Sequence, residues 1–195
     1  QPEPDAPTLL TPSRPDGEEP AAVSPLNGDD GSRFLRGNLV HALLQTLPEL
    51  EPARRPAAAR GYLARPVHGL DDAAQEAIAE ETLAVLGHPE FAELFGPGSR
   101  AEVPLVGRIG DQIVSGQLDR VLVKDDEIWV IDFKTNRPPP RSISDVPDIY
   151  VRQMAIYRTA LGEIYPHKRV RCLLLWTVQA RLMELPESLL QTAAP

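Results

Sequence analysis

Asp132-Phe133-Lys134 closes the apolar run Ile128-Trp129-Val130-Ile131, and Asp119 lies thirteen residues earlier in Gly116-Gln117-Leu118-Asp119-Arg120. Side chains alternate across a strand, so Asp132 and Lys134 share one face while Ile131 and Phe133 take the other. A turn at Lys124-Asp125-Asp126-Glu127 makes the two segments a hairpin. Centred on Asp125-Asp126, it gives facing positions that sum to 251, which sets Asp119 opposite Asp132. Their Cβ atoms then stand about 4.5–5.5 Å apart, a destabilising like-charge pair unless something positive sits between them. A hard divalent cation bound by oxygens answers that need. Two carboxylates and a lysine so placed are the parts for metal-assisted hydrolysis of a phosphodiester.

The alternative is a pair of solvated strand acids, with Asp119 and Asp132 paired to Arg120 and Lys134. Against it, Asp132 interrupts a run fit for a buried strand, where a carboxylate needs a partner or a metal. Lys134 either orients water and stabilises charge on the phosphate or simply pairs with one of the acids. The Phe133 carbonyl can add one more oxygen ligand.

The remaining candidates come from helices and flanks. Leu35, Leu39, Leu43 and Leu47 recur every four residues, which predicts a helix over 34–47. His41 lies off that apolar stripe, one turn after Gly37, and is either a surface histidine or a metal ligand. Gln153 and Tyr157 are i and i+4 on a predicted helix from Asp148 to about Tyr165, so they face the same way. They can reach toward DNA or buttress the ligands. Glu102 points into the site or away from it, since its strand parity is unanchored. Arg137, Arg141, Arg152 and Arg158 flank the region as phosphate contacts or as solvated charges.

The rest of the chain has to hold these residues. Residues 1–30 carry seven prolines and seven acids against Arg14 alone. They read as a disordered or extended linker, leaving 31–195 as one domain. The whole chain has a net charge of −8, of which the linker holds −6. The domain itself is therefore nearly neutral and should bind nucleic acid weakly alone. A second helix spans Asp71 to Leu86, capped by Asp71 or Asp72, and a short one is predicted at Pro89 to Phe95. Strands are predicted at Ala101–Val106, Gln112–Val123, Glu127–Thr135 and Arg169–Val178, with a short fifth at Leu182–Leu185. Residues 51–69 give no clear pattern. The order of elements makes an α/β fold, a central mixed sheet flanked by helices.

Composition excludes several classes. Cys172 is the lone cysteine, so an internal disulfide, a cysteine zinc site and an iron–sulfur cluster are ruled out within the chain. No apolar stretch reaches membrane-spanning length. The chain begins with Gln and has no signal peptide, so it reads as a fragment of a longer protein, and the lone cysteine suggests a reducing, cytoplasmic setting.

Taken together, Gly37-x-x-x-His41, Gly116-x-Leu118-Asp119-Arg120, Ile131-Asp132-Phe133-Lys134-Thr135 and Gln153-x-x-x-Tyr157 resemble, in order and spacing, the RecB-type nuclease domain of the PD-(D/E)XK superfamily. The resemblance covers residues 34–177 and is nearest to the C-terminal nuclease domain of the AddA subunit of bacterial AddAB helicase–nucleases. It implies a restriction-endonuclease-like core. It implies His41, Asp119, Asp132 and the Phe133 carbonyl as ligands of Mg²⁺ (Mn²⁺ or Ca²⁺ as substitutes), Lys134 as the catalytic lysine, and Gln153 and Tyr157 completing the site. The implied activity is that of a deoxyribonuclease, an exonuclease cutting the single strand that a helicase delivers, in double-strand-break repair by homologous recombination. An AddB-like nuclease subunit would be the partner. No G-x-x-x-x-G-K-[ST] motif is present, so ATP would be bound only in a helicase portion outside this chain. The alternative is a non-catalytic DNA-binding or subunit-interaction module on the same fold.

Overall fold

The computed structural model describes residues 9–12 and 30–194. Six strands form one mixed sheet. They are β1 (Leu9–Leu10), β2 (Ser99–Ile109), β3 (Gln112–Val123), β4 (Glu127–Lys134), β5 (Arg169–Trp176) and β6 (Arg181–Glu184). β2, β3 and β4 make an antiparallel meander, β5 joins β4 in parallel, and β6 returns antiparallel. The parallel β4–β5 pair needs a crossover. Helix α4 (Asp148–Ile164) supplies it.

Helices α1 (Asp30–Thr46), α2 (Arg55–Leu63) and α3 (Asp72–Gly87) cover one face of the sheet. α4 and α5 (Glu187–Ala193) cover the other. Leu39, Leu43 and Leu47, the predicted stripe, are buried together with Val40 and Leu44. Asp71 caps α3 through the Ala74 N–H at 2.8 Å. On the far side, Met154 and Leu161 of α4 bury against Val130, Cys172 and Leu174. Among the described residues no helix is long and apolar enough to cross a membrane.

Four features add to or differ from the sequence reading. Leu9–Leu10 form a strand, parallel to Ile113 and Val114 of β3, inside the segment read as a disordered or extended linker. Residues 1–8 and 13–29 lie outside the described residues. The helix predicted from Asp148 does start there, but Asp148 does not cap it: Pro147 is the N-cap residue and Asp148 lies inside the first turn. α2 went unrecognised, although a proline at the start of a helix loses no needed hydrogen bond, and Pro56 sits there. The last helix, α5, also went unrecognised.

Candidate active site

The hairpin has the expected register, but its ladder stops short of the acids. Arg120–Ile131, Val121–Val130, Leu122–Trp129 and Val123–Ile128 are paired, each summing to 251. Beyond Arg120 the strands part. β2 follows β3 along one edge as far as Gln112. On the other edge β4 covers residues 120–123 and β1 covers 113–114, which leaves a gap at 115–119 among the described residues. Asp119 Oδ2 fills part of this fork by accepting the Phe133 N–H at 2.6 Å. A side-chain carboxylate thus replaces a ladder carbonyl, and the direct Asp119–Asp132 pairing expected from the count does not form.

The alternation of faces also slips here. Leu118 and Val121 pack in the α4 layer although they are three apart on one strand. Between them Arg120 turns to the opposite layer. β2 matches this slip: Glu102, which faces Asp119 by register, has φ +51°. A bulky residue in the left-handed region is strained, and such strain gathers at functional sites. The register is unchanged across it, with Ala101–Arg120 and Val103–Leu118 on either side.

The fork therefore gathers groups from both layers. From the α1 side, His41 places Nδ1 3.4 Å from Asp119 Oδ1. Its Nε2 lies 3.1 Å from the Phe133 carbonyl. Burial works against a charged ring, yet the Asp119 carboxylate, then Asp132, hold His41 above its ordinary pKa. The ring thus stands between two oxygens, one from Asp119 and one from the Phe133 carbonyl. From the α4 side, Lys134 Nζ lies 2.8 Å from Asp132 Oδ2, 3.0 Å from Gln153 Oε1 and 3.8 Å from the Tyr150 ring centre. Gln153 Nε2 reaches Tyr157 Oη at 3.4 Å, and Tyr157 donates to the Gln117 carbonyl at 3.1 Å. The Gln153–Tyr157 pair is buried and buttresses the site from within.

Asp132 is 4 % exposed. Its Oδ2 has an ion pair with Lys134 but no well-aligned hydrogen bond. Burial raises the Asp132 carboxyl above its ordinary value, against the pull of Lys134. Burial lowers Lys134, but Asp132 more than offsets it and keeps the ammonium protonated. Glu102 is raised as well, by burial and then by Asp119, while Gln117 Nε2 donates to its Oε2 at 2.5 Å.

Other predicted residues fall differently. Arg120 does not pair with Asp119. It is buried and donates to the Leu44 and Leu94 carbonyls at 3.1 and 3.3 Å, locking α1 to β3 one residue beyond Asp119. Arg137 pairs with the buried Glu81. Arg152 is exposed and joins none of these bonds. Arg158 pairs with Glu187 of α5, and Arg141 is exposed. Tyr150 was missed; it is i−3 from Gln153, and helical spacing alone would have placed it beside that residue.

Gly116 explains how Tyr157 gets in. A Cβ there would stand 3.1 Å from Tyr157 Cε1 and 3.4 Å from Pro12. Tyr157 is fully buried. Gly116→Ala is expected to lower stability by about 1–3 kcal/mol in urea unfolding. A variant as stable as the parent would show that the ring can shift.

The donors suit a hard divalent cation in kind: the Asp132 carboxylate, the Asp119 carboxylate, the Phe133 carbonyl and the His41 imidazole. Among the described residues, no three His, Cys, Asp or Glu side chains are yet gathered tightly enough to hold a metal ion. The mixed sheet thus splits beside two acids and a buried lysine. The chain belongs to the PD-(D/E)XK nuclease superfamily, whose family model matches residues 20–192. Members of that superfamily are generally nucleases and typically use divalent metals. The chain is similar to the protein SSO0001, with 18 % identity over 83 % of this chain and 82 % of the other, at a TM-score of 0.34. It is also similar to protein VC1899 from Vibrio cholerae, with 14 % identity over 78 % of this chain and 48 % of the other, at a TM-score of 0.33. No curated protein gives a significant match.

Proposed function

We propose that this chain is a Mg²⁺-dependent deoxyribonuclease domain that hydrolyses phosphodiester bonds in a single DNA strand. The observation that carries the reading is the fork, where Asp119 and His41 from one layer meet Asp132 and Lys134 from the other. Asp119, Asp132, the Phe133 carbonyl and His41 would hold the cation. A bound divalent cation supplies a Lewis acid for a phosphate oxygen and makes water easier to deprotonate.

The protein's own residues do the rest. Lys134 stays protonated, so it serves as a fixed positive charge beside the phosphate rather than as a base. Gln153 and the Tyr150 ring hold its ammonium in place. Tyr157 ties Gln153 to the open edge of β3. Because these groups are buried and already bonded, little reorganisation is needed when a strand arrives.

The order of the four motifs supports a finer reading: the nuclease domain of an AddA-like helicase–nuclease that works with an AddB-like subunit in recombinational repair. There the helicase would deliver the strand, and a nearly neutral domain would need no strong affinity of its own.

The test is cleavage of end-labelled single-stranded DNA by the purified chain, first with excess chelator and then with Mg²⁺ restored. Cutting is expected only with the cation. Mn²⁺ is expected to replace it. Full activity in chelator would overturn the proposal.

A further inference from the structure

Outside the fork, the most unusual charge arrangement centres on Glu81 of α3, a buried acid. Its Oε2 meets two guanidiniums: Arg36 of α1, and Arg137, at 2.8 Å, just after β4. Its Oε1 accepts the Thr177 hydroxyl at 2.5 Å, and that hydroxyl lies 3.3 Å from the Lys134 carbonyl. The group is thus fixed to the backbone of the reaction centre. α1 presses on the same stretch, since a Cβ on Gly37 would stand 3.2 Å from Thr135 Oγ1.

One carboxylate cannot satisfy two arginines. Each guanidinium has five N–H donors, and Oε1 is already taken by Thr177. The cluster keeps a net positive charge. Burial, and after it the neighbouring Arg137, pull Arg36 down to about 10. The Arg137 side chain is 54 % exposed and the Arg36 side chain 21 %, so Arg137 opens to solvent above a more sheltered partner. Planar guanidiniums pair bidentately with phosphate oxygens.

We propose that Arg36 and Arg137, spaced by Glu81, form a clamp for a phosphodiester of the DNA strand next to the one that is cut. The ligand's identity as DNA rests on the nuclease reading above; the excess charge does not. Glu81 keeps the two cations apart and aimed, and a strand phosphate supplies the missing negative charge.

The test is fluorescence anisotropy of a labelled single-stranded oligonucleotide with metal omitted, over a series of salt concentrations. Single-strand binding loses about 0.7 in the log–log salt slope for each phosphate contact removed. Arg137→Gln is expected to reduce the slope by about that amount and to weaken binding roughly tenfold at low salt, whatever the sequence. Arg137 is exposed, so the variant should fold, and circular dichroism checks this. Glu81→Gln removes the competing anion and is expected to tighten binding, which a merely structural cluster would not do. An unchanged slope in Arg137→Gln would overturn the clamp. Displacement of DNA by millimolar inorganic phosphate, at ionic strength matched with chloride, would assign the site to free phosphate and overturn it too. Metal-dependent cutting with an unchanged slope sinks the clamp alone. A lost slope in a chain that never cuts leaves the clamp standing and sinks the nuclease reading.

Discussion

Asp132→Asn is expected to remove strand cutting while leaving the fold in place. The change keeps the shape of the side chain and deletes its charge. On the catalytic side, the change removes one of the two carboxylates proposed to hold the cation. A metal's contribution to transition-state charge stabilisation is several kcal/mol, and each 1.36 kcal/mol is tenfold in rate, so a loss on the order of 10³ or more follows. On the stability side two terms oppose each other. The Lys134 ion pair is lost, but so is the cost of burying a carboxylate, which already drives Asp132 toward protonation. Lys134 retains Gln153 Oε1 and the Tyr150 ring. The melting temperature should therefore move by only a few degrees. Single-turnover cleavage of labelled DNA at saturating Mg²⁺ checks the rate. Undiminished cutting would sink the nuclease assignment, and an unfolded variant would show that the ion pair is structural.

Much of this centre was legible in the residues because strand and helix periods are strict. The turn at Asp125-Asp126 set the register, and the paired positions do sum to 251. Spacing of four on α4 brought Gln153 and Tyr157 to the same place. What the count missed is the fork. Alternation assumes a continuous ladder, and nothing in a local pattern announces that Asp119 will take the Phe133 N–H in place of a backbone carbonyl. Nor does it show that Glu102 will adopt a left-handed φ and shift the alternation of faces. Both are long-range effects, in which packing overrides local preference. Glu81 was invisible for a related reason. On α3 it looks like any helix acid, and only the fold brings Arg36, Arg137 and Thr177 around it.

Lys134→Met is expected to be the most destabilising single change in the site, and a divalent cation should reverse much of the loss. Methionine fills most of the lysine's volume, so packing changes little. It leaves the Asp132 carboxylate buried with no opposite charge at 2.8 Å. Breaking a buried pair this way costs about 3–5 kcal/mol. For a domain of this size that is roughly 6–20 °C in melting temperature. Burial already raises the Asp132 carboxyl, and removing Lys134 raises it further. A carboxyl whose folded pKa exceeds its unfolded value favours folding at low pH and loses that advantage as pH rises through the folded pKa. The deficit should therefore be larger at pH 8 than at pH 5. A cation seated among Asp119, Asp132 and the Phe133 carbonyl would replace the missing positive charge, so Mg²⁺ should raise the melting temperature of the variant more than that of the parent. Asp132→Asn/Lys134→Met should regain stability over Lys134→Met alone, because no unpaired carboxylate remains. Calorimetry in chelator and in Mg²⁺ reads all three. If Lys134→Met melts with the parent in chelator, the buried pair carries no stability. If Mg²⁺ gives the variant no extra gain, the acids at the fork are not where the cation binds.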